Sequence, residues 1–578
     1  MDRNAVIRWL VIAVAMFAFW KWGMPAITGK SDKTQSVPEE VYVNAPGYVP
    51  DAVDAPAPDG KPWEPAEGEI CKIKGKRFDA ELSTRGAALT HFFIRDARYA
   101  GTDGFDMSTT PDHERWRSLR TLFRGDKADD QVKYDRFDWK LERLGETGCK
   151  FTYTDDTVAI TKTVKNGDRP FELTVETEVK NLADAPKKHR FDIETFAFRT
   201  NAEVKGSLGR VSPFATELDC AREKDVQRKQ KDDFKTGWYS EPLTDRWVGV
   251  NNYYFIAAVI PENGDKPECG LLAEERKAFG KPVDDDASGA VYHGKLTYPV
   301  RQLAPQESAT YRQTAFFGPK ERDVLAAAGG GRAGLGDAIN LGFFSPVAKF
   351  LIKVLEFFHD KVTNNWGLAI IVMTICLRLL LFPLSLKQIK TTIAMRKLKP
   401  EMDALGARYQ DDAQAKQLAT MELYRKHGVN PLGGCLPQLV QMPVWFAMYT
   451  TLQTAVEMYH TKFLWFTDLS APDRFYILPI VLGAFMIVQQ RIVPQQGMDP
   501  MQQKMMMYML PVVFTVMMLF LPAALGVYML TNSLLGIGQQ LIVEKVAPRS
   551  PSSGSSKGDI VVKQVDGPPS LGKGKARV

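Results

Sequence analysis

The sequence predicts a multi-domain membrane protein, with an α-helical core of transmembrane spans and one large all-β domain outside the bilayer. Three observations predict this fold class. Residues 505–543 contain no Asp, Glu, Lys or Arg, which is not typical of a soluble domain. Residues 67–330 consist instead of short segments with the period-two alternation of half-buried strands. The chain has 578 residues, which is too long for a single hydrophobic core.

The net charge excludes one broad class of function. Lys and Arg number 74 and Asp and Glu number 68, which gives a net charge of +6. This value is too small for a protein that coats nucleic acid.

The N-terminal residues 1–24 are predicted to form an uncleaved signal anchor. Arg3 precedes an apolar run that ends at Trp20, as in secretory signals. The small-residue pattern at Ala13 and Ala15 lies inside this run instead of after it, so a cleaved signal peptide is the less favoured alternative. Residues 25–66 follow as a linker, because the seven prolines of 28–66, among Ala, Asp and Glu, do not form a packed core.

Residues 67–330 are predicted to form a large all-β sandwich. Alternating segments at 157–164 and 171–179 flank the hairpin signal Asn166-Gly167, and 253–260 is a more apolar strand. Many short strands over such a length are typical of a sandwich. Four cysteines fall in this region, and one or two disulfides or buried free thiols are the two alternatives: Cys71, Cys149, Cys220 and Cys269.

The helical core is predicted at 335–545. It begins with an amphipathic helix at 343–361, whose apolar face suits the membrane interface. Five spans follow, because Pro522 divides the long uncharged block into two helices. With the N-terminal anchor this gives six spans, of which the five in the core are at 366–386, 432–455, 475–493, 505–521 and 523–543.

The basic loops predict the orientation of the spans. Residues 387–426 contain nine Lys or Arg, whereas the loop 457–474 contains two. Because basic loops stay in the cytoplasm, both termini are predicted to be cytoplasmic and the β domain lies outside. The tail 546–578 is predicted to be a disordered, basic extension.

Catalytic motifs are mostly absent from the sequence. The segment from Gly289 to Lys295 approaches a phosphate-binding loop but lacks its final Ser or Thr and reads as a strand. The seven histidines form no paired metal motif, and the run 284–286 of aspartates reads as a solvated loop. We therefore expect no enzymatic activity, no cofactor and no metal.

Arg378 is the most informative residue, because it lies inside a predicted span. A charge there costs about 2.5–3.5 kcal/mol on insertion scales. It could snorkel to the cytoplasmic interface, pair with an acid of another span, or remain an unpaired cation in a wet cavity. The spans contain no central acid, so the third interpretation is favoured. Polar residues that would line this cavity are Thr374, Gln441, Thr450, Tyr528, Thr531 and Asn532.

Residues 387–427 are predicted to form a charged helical hairpin. Apolar residues recur at helical spacing on both sides of Asp411-Asp412, and Gly428 ends the second arm. The hairpin could be a solvated connector. Its length and basic charge also suit ribosomal or targeting partners.

Several motifs in the core resemble those of the YidC family of bacterial membrane protein insertases, in the same order and with matching topology. They are Asn365-Trp366-Gly367, the Arg378 span that ends in Phe382-Pro383-Leu384, the segment 430–437, Gln441-Met442-Pro443, the segment 499–504, and Gln539-Gln540-Leu541-Ile542. The outer domain resembles the periplasmic domain of Gram-negative members, a sugar-mutarotase-like β-supersandwich. The residues that carry this looser likeness are 83–86 and 247–248.

The resemblance implies that the chain inserts nascent membrane proteins into the inner membrane without nucleotide hydrolysis, alone or beside the Sec translocon. It implies a hydrophilic groove, open to cytoplasm and lipid, in which Arg378 supplies the charge. Thr374 and Tyr528 match positions that meet the substrate helix, and Gln441 lines the same groove; Asn532 belongs to the same polar lining. The hairpin and basic tail are implied to meet the ribosome and signal-recognition targeting factors, and the active unit is expected to be a monomer.

Two other functions are compatible with parts of the sequence. A transporter could bind an anionic solute at Arg378, but it would be expected to contain inverted repeats, and the sequence shows none. A membrane-tethered sugar-processing enzyme would need a convergent acid–base pair in the β domain, and no strong candidate stands out.

Overall fold

The computed structural model describes residues 68–546, apart from 100–103, 111–115, 125–130, 206–211, 224, 235–236, 242–245, 263, 265, 277–287, 410–412, 430–431 and 493–499. The signal anchor at 1–24, the linker at 25–66 and the tail from 547 onward lie outside the described residues.

The first part of the described chain is built from strands. They are β1 Ile70–Lys74, β2 Phe78–Ser83, β3 Ala88–Ile94, β4 Phe105–Asp106, β5 Thr121–Arg124, β6 Gln131–Lys133, β7 Lys140–Arg143, β8 Gly148–Thr154, β9 Val158–Asn166, β10 Glu172–Asn181, β11 Lys187–Thr200, β12 Glu217–Ala221, β13 Val226–Lys229, β14 Tyr239–Glu241, β15 Trp247–Asn251, β16 Phe255–Pro261, β17 Glu268–Arg276, β18 Gly289–Thr297, β19 Arg301–Leu303 and β20 Ser308–Pro319.

These strands form three antiparallel sheets. One sheet has the order β1-β2-β3-β4, a second β13-β12-β15-β16-β20-β10-β9-β8-β7, and a third β14-β17-β18-β11-β5-β6, with β19 beside β11. Strands of the two larger sheets face each other across one core, for example β15 against β18 and β11 against β16. The all-β sandwich is therefore confirmed.

The predicted hairpin around Asn166 is formed by β9 and β10, in which Asn166 pairs with Leu173 and Val164 with Val175. Val164 and Val175 are both fully buried, as the period-two alternation requires.

The cysteines of the sandwich form two disulfides, which decides between disulfides and buried free thiols. Cys71–Cys149 joins β1 to β8, and Cys220–Cys269 joins β12 to β17.

The helices are α1 Asn201–Val204, α2 Arg322–Ala327, α3 Ser345–Phe358, α4 Trp366–Leu380, α5 Phe382–Lys397, α6 Lys399–Arg408, α7 Ala413–Lys426, α8 Leu432–Thr454, α9 Ile477–Ile492, α10 Pro500–Met518 and α11 Ala523–Val546. Single turns of other helix types occur at Tyr134–Arg136, Lys231–Asp233, Ala328–Gly331, Leu335–Ala338, His359–Thr363 and Val456–Met458.

The amphipathic helix expected at 343–361 is α3. Leu351 and Leu355 are buried against the helices that follow, while Phe350 and Phe357 on the other side are more than half exposed. Only part of the apolar surface of α3 is therefore buried inside the protein. A wide exposed apolar face is typical of a helix that lies in a membrane interface.

The span expected at 366–386 is not one helix. The side chain of Asn365 caps α4 by accepting a hydrogen bond from the Leu368 amide at 3.1 Å. The helix then ends at Leu380, and α5 begins with Pro383 in its first turn. The helix therefore ends before the limit of 386 that was expected for the span, because proline has no amide hydrogen and clashes with the preceding turn of a helix.

Length and apolar character identify no individual helix among the described residues that would cross a bilayer by itself. One pair meets the criterion jointly, the segments Ser345–Thr363 and Trp366–Leu380, which meet at a bend of 115°. Ile477–Arg491 and Met507–Met518 are shorter apolar helices. The number of spans stays a prediction.

The β domain and the helical part are joined by specific contacts. Val456, which follows α8, is fully buried in the hydrophobic core of the sandwich. Tyr459 packs against Tyr99 and Phe255. Arg322 Nη1 lies 2.9 Å from Glu457 Oε1 and 3.4 Å from Glu356 Oε1 on α3. These contacts fix the position of the sandwich on the helices.

Candidate functional site

Arg378 lies in the last turn of α4 and is partly exposed. Its Nε donates a hydrogen bond to Asn532 Oδ1 at 2.6 Å, and its Nη2 donates to the backbone oxygen of Asn532 at 2.8 Å. Both acceptors belong to α11, so the guanidinium links α4 to the last helix. Hydrogen bonds with a charged donor are stronger than neutral ones, which makes this a defined position for the cation.

The structure corrects one detail of the favoured interpretation of Arg378. The cation is not without a partner, because both hydrogen bonds go to Asn532. No carboxylate lies within ion-pair distance of it in the part of the chain that the structure describes. An amide and a carbonyl orient the guanidinium without neutralising its charge. The positive charge therefore remains at this site.

The face of α11 that meets Arg378 is formed by three residues at successive turns, Tyr528, Asn532 and Gly536. Tyr528 is buried, and its neutral phenol lies within electrostatic range of the Arg378 guanidinium. A Cβ atom at Gly536 would lie 3.2 Å from Arg378 Nη2. The glycine thus leaves room for the guanidinium. Gly536 was not predicted, and only its spacing from Asn532 could have indicated it.

Thr374 lies one turn before Arg378 on α4 and is buried. Its hydroxyl donates to the Ile370 carbonyl at 2.6 Å, so its hydrogen atom is engaged within the helix. Gln441 lies on α8 and is partly exposed. No hydrogen bond joins Gln441 to Arg378 among the described residues. The structure therefore brings together three of the five predicted site residues: Arg378, Tyr528 and Asn532.

A second set of contacts continues the site along α11, and the sequence did not predict it. Gln539 Nε2 donates to the Arg378 carbonyl at 3.5 Å, and Arg396 Nη2 on α5 lies 2.8 Å from Glu544 Oε1. Gln540 donates to the same Glu544 oxygen at 2.6 Å. The end of α11 is thereby tied to α4 and to the start of the basic hairpin. Such partners lie on helices that are far apart in sequence, so spacing gives no signal for them.

Within the described ranges, no cluster of three or more His, Cys, Asp or Glu residues has a geometry that could hold a metal ion. The site around Arg378 consists of a cation, an amide, a phenol and main-chain groups. Such groups bind and orient polar or acidic partners.

Residues 71–354 match the family of the YidC periplasmic domain, and residues 357–550 match the family of the 60Kd inner membrane protein. A membrane protein insertase YidC of Geobacter metallireducens is 32% identical over 94% of this chain and 98% of its own length. The corresponding protein of Geotalea daltonii is 32% identical over 95% of this chain and 100% of its own length.

Solved structures show weaker likeness. An active YidC insertase with its first transmembrane domain resolved is 17% identical, with a TM-score of 0.36, and the match covers 82% of this chain and 94% of that one. A galactose mutarotase-like protein of Lactobacillus casei is 11% identical over 43% of this chain and 100% of its own, with a TM-score of 0.30.

The two family matches define the class, an inner-membrane protein with a periplasmic domain. The sequence identity of 32% extends over nearly the whole length of both relatives. The chain belongs to the YidC family of membrane protein insertases.

Proposed function

We propose that this insertase receives its clients in a polar groove of the helical core, with Arg378 as the charge that attracts them. Thr374, Gln441, Tyr528 and Asn532 would line the groove. The clients would be nascent membrane proteins, inserted without nucleotide hydrolysis, either by this chain alone or with the Sec translocon.

The observation that carries this proposal is the hydrogen bonding of Arg378. Its partners are the side chain and backbone oxygens of Asn532, which hold the guanidinium without cancelling its charge. A cation kept in this way would attract acidic or polar groups of a client. Transfer of such groups into hydrocarbon without partners is costly, so a polar groove lowers the barrier to their passage. Partition of the client's apolar helix into lipid then supplies the driving force.

The proposed topology has six spans, with both termini in the cytoplasm. The basic segment from α5 to α7 supports this orientation, since it contains nine Lys or Arg at 387–426. Residues Leu418 and Met421 on α7 are exposed and adjacent on one face. An apolar spot within a basic hairpin is a suitable contact for the ribosome or a targeting factor. We propose that the hairpin and the basic tail meet these partners, and that one copy of the chain is active.

The proposal is tested by insertion of a small two-span client into liposomes that contain only the purified chain, without nucleotide. Protease protection of the client is the readout. We expect insertion by the native chain and a loss of at least about tenfold in Arg378→Ala. The free energy contributed by a positioned charge is larger than the value that corresponds to a tenfold change. Arg491→Ala, at the exposed end of α9, is the matched control and should insert normally.

The outcomes separate the parts of the proposal. Equal insertion by the native chain and Arg378→Ala would contradict the role given to Arg378. No insertion by correctly folded native chain would contradict action by the chain alone. Restoration by added Sec translocon would then support the Sec-dependent form.

A further inference from the structure

A cavity of about 270 Å³ lies where the β domain meets the helical part. Asn251, Asn252 and Lys320 contribute to its wall from the sandwich, and Asn340 and Thr454 from the helical side. Thr454 is the last residue of α8, and Asn340 lies shortly before α3. Both parts of the chain therefore contribute to the wall of the cavity.

A buried polar network forms one side of this cavity. Lys320 Nζ donates to Asn251 Oδ1 at 2.6 Å and to the Ala338 carbonyl at 3.0 Å, and Asn251 Nδ2 donates to Asp219 Oδ2 at 2.7 Å. Lys320 and Asp219 are both buried. An ammonium group has three N–H donors, so one donor of Lys320 remains for a group in the cavity.

Burial acts on both charged members of the network. It lowers the pKa of Lys320 and raises the pKa of Asp219, because each charged form is withdrawn from water. Ionisable groups buried at the wall of a cavity are more frequent at binding sites than elsewhere. The buried ionisable groups are therefore a second indication of a binding site at this cavity, independent of the cavity's shape.

The chemistry of the wall indicates the kind of ligand. Asn252 Oδ1 accepts from the amides of Tyr254 and Phe255, while its Nδ2 donates to no group in the described part of the chain. Lys231, at the same cavity, is already paired with Glu275 at 2.9 Å. The cavity thus offers N–H donors, the ring of Tyr253 and the carboxylates of Glu217 and Asp232, but no cluster of unpaired cations that a phosphate would need. Carbonyl oxygens of an uncharged peptide suit these donors, whereas the two carboxylates would repel an acidic segment.

We propose that this cavity binds a polar peptide segment of the client on the outer side of the membrane. A carbonyl oxygen of the segment would accept hydrogen bonds from Lys320 Nζ and Asn252 Nδ2. The inference rests on the proposed function, because it takes Thr454 to be the outer end of a span. From Gln441 to Thr454, α8 extends roughly 20 Å, at 1.5 Å per residue. The cavity would then hold the segment after it has left the groove.

The test is direct binding, and it does not depend on insertion activity. A short fluorescein-labelled peptide of Asn, Ser and Gly is titrated with the full-length chain in detergent micelles, and anisotropy is followed. Asn340→Trp places a bulky ring at the cavity, from an exposed position outside the buried network. We expect it to weaken binding by about tenfold or more, since an obstructed site loses several contacts. Asp232→Trp, which obstructs the cavity from the sandwich, should act in the same direction.

Gln302→Trp on β19 is the matched control, because it adds the same ring at an exposed position of the sandwich away from the cavity. It should bind the peptide like the native chain. Absence of binding by the native chain, or equal binding by all variants, would overturn the proposal. Competition by soluble phosphoethanolamine but not by unlabelled peptide would assign the cavity to a lipid headgroup instead. Since insertion is measured separately, a failure here leaves the groove proposal standing.

Discussion

Arg378 on α4 and Asn532 on α11 are joined by two hydrogen bonds, one to the side chain and one to the main chain of the asparagine, at 2.6 and 2.8 Å. The pair fixes the direction of the guanidinium and leaves its charge in place. A carboxylate in the position of Asn532 would fix it equally well but would neutralise it. The amide therefore leaves the charge of Arg378 uncompensated, as its proposed role in client binding requires.

Replacement of Asn532 tests this relationship. Asn532→Leu removes the side-chain acceptor of a charged donor, and such a loss costs about 1.5–3 kcal/mol. We expect a lower thermal stability of the helical part and slower insertion of a two-span client. Ser533→Ala changes a neighbouring polar residue on the same helix and serves as the control. Unchanged insertion in Asn532→Leu would show that the position of Arg378 is fixed by other contacts.

The glycines of α11 provide a matched pair of variants. A Cβ at Gly536 would lie 3.2 Å from Arg378 Nη2, whereas a Cβ at Gly538 meets nothing within 4 Å. Both Gly→Ala changes gain helix propensity of about 1 kcal/mol. We expect Gly538→Ala to be stabilised with normal insertion. Gly536→Ala should gain less stability and should insert the client more slowly, because the guanidinium of Arg378 must move. Identical behaviour of the two variants in liposome insertion and thermal unfolding would argue against this packing.

The junction between the sandwich and the helices is expected to depend on Arg322. It approaches both Glu356 and Glu457, and its removal leaves two half-buried carboxylates without this partner. Arg322→Ala should lower the free energy of unfolding by about 2–3 kcal/mol and increase protease cleavage between 328 and 345. Arg312→Ala breaks an exposed pair with Glu176 instead and should change stability by less than about 1 kcal/mol. The prediction is wrong if both variants are cleaved at the native rate.

The disulfide between Cys71 and Cys149 closes a loop with a sequence separation of 78. In the chain-entropy account, a crosslink of this span contributes about 4 kcal/mol by restricting the unfolded chain. The double change Cys71→Ser and Cys149→Ser should lower the denaturant midpoint of the sandwich accordingly, monitored by tryptophan fluorescence. Cys376→Ser, at an exposed free thiol in α4, should leave the midpoint unchanged. If the double variant has the same denaturant midpoint as the native chain, the segment between the two cysteines is already restricted in the unfolded chain.

The stability of the sandwich is expected to fall in mild acid because of His189. Burial, assisted by the nearby charge of Arg301, lowers the pKa of His189 to about 4, from an ordinary value of about 6.5. Between these values the unfolded chain binds a proton that the folded chain does not, so stability is lost as the pH falls from about 6.5 to about 4. His189→Gln should reduce this slope in denaturation curves measured at pH 7, 5.5 and 4.5. A slope equal to that of the native chain would contradict the assignment.

Much of the sandwich could be predicted because its signals are local. The alternation on both sides of Asn166 reads directly as β9 and β10, since side chains of a strand point alternately to the core and to solvent. The end of α4 at Leu380 was not predicted, although the motif Phe382-Pro383-Leu384 lies next to it, because the apolar run continues past the break. Apolar character depends on composition, whereas helix continuity depends on each backbone hydrogen bond.

Local patterns in the sequence were sufficient to predict the division into a β domain and a helical part, and a cation without an acidic partner in its own span. The folded structure was needed to show that Asn532 orients Arg378, that Gly536 leaves room for it, that the cysteines pair as Cys71–Cys149 and Cys220–Cys269, and that Val456 is buried in the sandwich. The difference lies in the range of the interactions. Periodicity and charge patterns are properties of neighbouring residues, while these contacts join residues that only the packing of distant elements brings together.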